Sequence, residues 1–243
     1  MYRLSIAHRF ITLIALLACL PASANVVVNG TRFVYPAKQQ EISVRVSNDG
    51  DQPSLVQAWI DRGDPATRPE QADAPFLLTP PIFRVDPGKG QSLRVAFIEE
   101  ALPQDRETVF WFNMLDVPPL PEADDGNYMQ FAIRTRLKLF YRPEKLAGSP
   151  DKAIEQVTWQ LVSTSSGAAL RATNGSAFHV SLSDLAVQDR GRTYPSQGGM
   201  VAPHASHDFP LTDPAAPSAS AAVVLHWIND YGAPSRHEAR LEP

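Results

Sequence analysis

Beyond residue 24 the sequence contains no cysteine, because its single one, Cys19, lies in an uncharged run near the start. That run, FITLIALLACL, follows Arg3 and Arg9 and leads into Ala22-Ser23-Ala24. A basic start, a short apolar stretch and an A-x-A site describe a secretory signal cleaved after Ala24. A lipoprotein reading through Cys19 would use a weakly matched site in mid-run and pass over the better one. With the signal removed, the exported chain has no thiol and no disulfide, so core burial must stabilise it. The run also falls short of the ~20 apolar residues that cross a bilayer, and no membrane insertion is expected.

An excess of positive charge is missing as well. The chain has 22 Lys and Arg against 26 Asp and Glu, and the signal removes two of the basic ones. A mildly acidic mature protein gives no general reason to expect nucleic acid or an anionic membrane as partner. Motifs of the common chemistries are absent too. Residues 87–92, PGKGQS, lack the glycine five positions before Gly88 that a phosphate-binding loop requires, and read as a turn. No serine sits in G-x-S-x-G, although triads are recognised by geometry and sequence does not exclude one. His204 and His207 have no third ligand nearby and read as a loop. No cofactor is implied. The N-G-T and N-G-S triplets at Asn29 and Asn174 read as turns or as glycosylation acceptors.

Helical periodicity is also lacking after residue 24, whereas short alternating runs bounded by Pro, Gly, Asn and Asp recur throughout. The expected strands are TRFVYP from 31, EISVRVSN from 41, SLVQAWID from 54, QSLRVAFI from 91 and TVFWFNML from 108. Asn48-Asp49-Gly50, Asp86-Pro87-Gly88 and Asp125-Gly126 supply turns. PEKLAGSP from 143 interrupts the pattern, and strands resume as QVTWQLVST, ALRATN, FHVSLSDL and SAAVVLHWIND, with a proline-rich loop at FPLTDPAAPS. The expected fold is all-β, with two sandwich domains over residues 25–145 and 146–243.

The stretch QFAIRTRLKLFYRP, residues 130–143, alternates for unusually long. Phe131, Ile133, Leu137, Leu139 and Tyr141 share one parity, with Met129 upstream; Arg134, Arg136, Lys138 and Arg142 take the other. Fourteen extended residues would span roughly 46 Å, more than twice an ordinary strand. Pattern alone is satisfied if the apolar set fills its own domain's core.

LPQDRETVFWFNMLDVPP, residues 102–119, together with RTRLKLFYRP, resembles the periplasmic pilus (fimbrial) chaperones of Gram-negative secretion. NGTRFVYPA at 29, LVQAWID at 55, PFLLTPPIFRVDPG at 75 and INDYG at 228 extend the likeness, which covers most of the first half and little of the second. The resemblance implies two immunoglobulin-like β-sandwiches in an L-shaped arrangement, a binding cleft between them and no ATP requirement. It implies that Met129, Phe131 and Ile133 belong to a donor strand laid into an incomplete pilus subunit. Arg32 and Lys138 then hold the carboxylate at the subunit's C-terminus, and an outer-membrane usher receives the complex. Without the family, those two cations read as surface charge that blunts an edge. Glu107, Arg142 and Asp230 fall where the family has an interdomain ion network, although strand and turn position alone would leave each exposed. A cis bond before Pro80 is implied, as is membership of the short-loop branch from LPEADDGNY, residues 120–128. An exposed donor strand also leaves open a self-capping homodimer.

The expected function is therefore a periplasmic, non-enzymatic assembly chaperone. A structural or adhesive component of a surface fibre, or a β-rich secreted enzyme, remain the alternatives.

Overall fold

A computed structural model of the chain describes residues 26–120, 129–165, 167–212, 217–218 and 220–242. The signal segment with Cys19 and its cleavage site, the Asp125-Gly126 turn and nearly all of the 120–128 loop lie outside the described residues.

Sixteen strands carry the fold among those residues. In chain order they are β1 (Val26–Val28), β2 (Arg32–Pro36), β3 (Glu41–Asn48), β4 (Ser54–Asp61), β5 (Phe76–Thr79), β6 (Ile82–Val85), β7 (Gly90–Phe97), β8 (Thr108–Val117) and β9 (Ile133–Arg142). After a short 3-10 turn at Pro150–Gln156 come β10 (Val157–Thr164), β11 (Gly167–Asn174), β12 (Val180–Asp189), β13 (Arg192–Val201), β14 (Ser206–Pro210), β15 (Ala222–Ile228) and β16 (Pro234–Arg240). The first nine form sheets ordered β1-β3-β7-β5 and β2-β9-β8-β4-β6, and the last seven form β10-β11-β14 and β13-β12-β15-β16. Each pair of sheets encloses its own core.

Alternation explains the first sandwich. On β3 and β7, Val44 faces Leu93 across the ladder and both are buried, while their neighbours Ser43 and Arg94 point outward. On β8, Phe110, Phe112 and Met114 enter the core, where Leu139 and Tyr141 of β9 meet them. Rings supply much of the filling: Tyr35, Phe76, Phe97, Phe110 and Tyr141 pack with centroids 4.7–6.4 Å apart. The second core is more aliphatic, built around Trp159, Leu170, Leu185 and Leu225.

The chain's first strands divide their loyalty. β1 pairs with β3 in one sheet, whereas β2 pairs in parallel with β9 in the other. Gly30, at φ +124°, occupies the crossing, where a side chain would be strained. That switch sets Arg32 opposite Lys138.

Two expectations are corrected. The long strand is ten residues, not fourteen, because β8 pairs with it only as far as Asp116↔Ile133. Pro118 and Pro119 then end the ladder, and residues 129–132 pair with no strand among the described residues. Strands were also missed inside textures that read as loop: β13 runs through Gly198-Gly199, β14 lies within SHDFP, and β16 follows the INDYG turn. These segments are polar or glycine-bearing, and neighbours in the sheet, not their own apolar alternation, hold them.

Candidate functional site

Arg32 and Lys138 begin at a discontinuity. β9 has β8 along one edge from Ile133 to Tyr141, but β2 covers its other edge only from Lys138 to Arg142. Residues 133–137 therefore present unpaired backbone, among the described residues, immediately upstream of a cation pair. Upstream again, Met129, Phe131 and Ile133 are 79, 67 and 50% exposed. The sequence pattern allowed them to fill their own core; the structure instead leaves all three outside it. Leu139 and Tyr141, of the same parity, are buried, so the apolar face of this segment passes from solvent to core along its length.

The two cations share a half-buried setting. Lys138 Nζ donates to Ser181 Oγ at 2.9 Å, and Arg32 Nη1 donates to the Ile228 carbonyl at 2.9 Å, both across to the second sandwich. Arg32 Nε is buried without a partner among the described residues. Neither side chain has a carboxylate within ion-pair distance there. Burial, followed by the repulsion of Arg32, lowers the Lys138 ammonium to about 8. Burial likewise lowers Arg32, against the opposing pull of Asp230 and Glu107. Two poorly compensated cations side by side attract negative charge, and the Arg32 Nε–H is a buried donor without a partner among the described residues.

Glu107, Arg142 and Asp230 come together as one network. Arg142 Nε binds Glu107 Oε1 at 2.6 Å, and its two terminal nitrogens grip Asp230 at 2.7 and 3.0 Å. Glu107 is only 4% exposed, correcting its expected exposure at the start of a strand. Its second oxygen accepts the His179 backbone N–H at 2.8 Å, and the Glu107 N–H donates to Ala177. Each half of the chain thus contributes groups that the other half satisfies. Asp230 sits in the 229–232 turn, where Asn229 Oδ1 accepts the N–H groups of Tyr231 and Ala233. Gly232, at φ +82°, lies so close to Thr31 that a Cβ would collide with the threonine hydroxyl. The Thr79-Pro80 bond is cis, matching the expectation drawn for it.

Other members of the site were not singled out from the sequence. Ser181 sits in FHVSLSDL with nothing local to mark it. Asp61 closes the SLVQAWID strand, and a fully buried aspartate at a strand end is recognisable only when its partners are seen.

Comparison with known proteins decides what this arrangement belongs to. Residues 25–147 match the family described as "Pili and flagellar-assembly chaperone, PapD N-terminal domain", and residues 152–239 match "Pili assembly chaperone PapD, C-terminal domain". The chain belongs to the pilus assembly chaperone family. The "Probable fimbrial chaperone YadV" of Escherichia coli is 38% identical to this chaperone over 222 residues, 90% of each chain. "Chaperone protein FimB/FhaD" of Bordetella pertussis is 40% identical over 235 residues, 93% of each. The crystal structure of YadV superposes with a TM-score of 0.78, covering 90% of this chaperone and all of YadV. A SafB chaperone solved in complex with the Salmonella enterica SafA pilin gives 0.75 at 26% identity, covering 91% of this chain and 99% of that one.

The chaperone is accordingly two immunoglobulin-like β-sandwiches, from a periplasmic family of chaperones and not a family of enzymes. The family match favours the chaperone reading over that of a fibre component.

Proposed function

We propose that this chaperone captures pilus subunits by lending them the free edge and apolar face of the segment from Met129 through β9, and fixes them by the C-terminal carboxylate at Arg32 and Lys138. The observation that carries the proposal is the coincidence of an unpaired strand edge, an outward apolar row and an uncompensated cation pair at one junction. A SafB chaperone is known in complex with a pilin, which supports a pilin as the occupant.

Geometry sets the direction of the incoming strand. β2 runs parallel to β9 and starts at the Arg32↔Lys138 pair. A client strand that fills the edge upstream and ends its chain at that pair also runs parallel to β9, in line with β2 and ending where β2 begins. Its carboxylate then arrives where the two cations are. Met129, Phe131 and Ile133, alternating over the adjacent segment, would enter the client's open core. Full burial of three such side chains is worth roughly 5–9 kcal/mol gross, opposed by the client's ordering and lost freedom.

The remaining roles follow from that capture. Residues 1–24 direct export and are cleaved after Ala24; residues 25–145 form the capturing domain and 146–243 the second. Glu107, Arg142 and Asp230 hold the two domains at a working angle. Release to an outer-membrane usher needs no nucleotide, because a second subunit's extension can replace the lent strand. In the free chaperone, the same edge suits a second copy as a self-capping homodimer.

Co-expression with a candidate subunit tests the clamp. Arg32→Ala and Lys138→Ala are expected to abolish co-purification while thermal unfolding moves little, since each side chain makes one hydrogen bond worth about 1 kcal/mol. Normal capture by both variants would refute it.

A further inference from the structure

The face of β9 that carries Lys138 also carries Arg136 and Arg134 at two-residue intervals upstream and, beyond Phe140, Arg142. A client strand that slips by one residue turns its side chains to the wrong side and is rejected. A slip of two keeps every side chain on its proper face, so side-chain parity cannot prevent it. Something else must distinguish Lys138 from Arg136, roughly 6.6 Å upstream.

Charge compensation differs sharply along the row. Arg142 is held by Glu107 and Asp230. Arg136 Nη2 binds Asp61 Oδ1 at 2.7 Å, and Arg134 Nη2 lies 3.6 Å from Asp61 Oδ2. Asp61 is fully buried and is itself fixed, accepting the Gly63 N–H and the Asn113 amide at 2.7 Å each. Asn113 Oδ1 in turn accepts from Arg134 at 2.7 Å. The indoles pin both guanidiniums from the side: Arg134 lies 4.7 Å over Trp59 and Arg136 4.2 Å over Trp111. Lys138 alone in the row has no carboxylate among the described residues; its partner is the neutral Ser181 hydroxyl.

We propose that Asp61 is a register-determining residue: by binding Arg136 closely and sharing its one charge with Arg134, whose donors Asn113 and the Pro65 carbonyl also occupy, it leaves Lys138, with Arg32, as the least compensated place on the strand for a client's terminal carboxylate. Asp61 does not touch the client. It acts through the two arginines, and its effect is to exclude captures displaced by two or four residues. The inference rests on the capture proposed above.

The test uses a client subunit with one cysteine at its penultimate position, and chaperones carrying Leu137→Cys or Thr135→Cys, which in a mature chain without other cysteines report register by disulfide formation. Unaltered capture cross-links at position 137. Asp61→Asn is expected to add a population linked at 135, and Arg136→Met in that background to remove it. Lys138→Ala should lose capture; Asp61→Asn with Lys138→Ala should regain a measurable part of it, linked at 135, a recovery that a damaged fold would not produce. Capture by Lys138→Ala alone at the normal level sinks the anchor itself. Loss by Lys138→Ala with no recovery and no 135 link in the Asp61→Asn chaperones overturns the role of Asp61 and leaves the anchor standing. Should Asp61→Asn fail to fold, Ser181→Asp supplies the converse: a carboxylate given to Lys138 should abolish capture, whereas Ser181→Asn, close in shape but without the charge, should weaken it far less. Capture by Ser181→Asp at the normal level also overturns the inference.

Discussion

Arg32 and Lys138 are register partners in the parallel β2–β9 pair, two like charges set side by side with no carboxylate between them among the described residues. Such an arrangement costs stability, and the lowered Lys138 ammonium makes the pair dependent on pH.

In the folded protein the Lys138 ammonium is lowered to about 8 from the ordinary lysine value of 10.5, first by burial and then by the repulsion of Arg32. Between those values the unfolded chain holds the proton that the folded chain has released, so this group's contribution to stability rises with pH across that window. Capture moves the other way, because a carboxylate binds the ammonium form. Calorimetric titration with a client C-terminal peptide should show affinity falling as pH passes about 8, while denaturation in the absence of client shows a gain. Lys138→Arg should flatten both profiles.

Phe131→Asp and Met129→Asp should leave the chaperone's own stability within about 0.5 kcal/mol, since both side chains already face solvent. Client capture should fall steeply in the same variants, measured by pull-down. Destabilisation by 2 kcal/mol or more would mean that the residues belong to their own core after all.

Arg142→Ala leaves Glu107 charged and buried with its main partner gone, and should cost about 3–5 kcal/mol in urea unfolding. Asp230→Ala should cost less, because Asp230 is partly exposed and Arg142 keeps Glu107. Equal losses would show that the carboxylates are not ranked by burial.

Gly232→Ala should destabilise the contact between the 229–232 turn and Thr31, through both its positive φ and the collision with the threonine hydroxyl. Thr31→Ala should rescue it in part, removing the collision but not the backbone strain. Full rescue would assign the whole effect to the contact, and none would assign it to φ. Thermal unfolding of the double-mutant cycle separates these outcomes.

Much of this was legible in the sequence. EISVRVSN and SLVQAWID are strands at the bounds their alternation marks, because a half-buried strand writes its two faces into alternate residues. β14 and β16 were not legible, since SHDFP and PSRHEAR carry little apolar signal and depend on the strands beside them. Where Met129, Phe131 and Ile133 point was undecided by pattern, because an apolar row has the same period whether it fills a core or awaits one.

By itself the sequence determined which side chains share a face of β9, for parity is a local property of extended backbone. Only the tertiary structure decided which of its four cations are neutralised. Asp61 lies 75 positions from Arg136, Glu107 lies 35 from Arg142 and Asp230 lies 88 away on the other side. Ion pairs act through space over a few ångströms, and no spacing along the chain records which distant carboxylate folding will bring within reach.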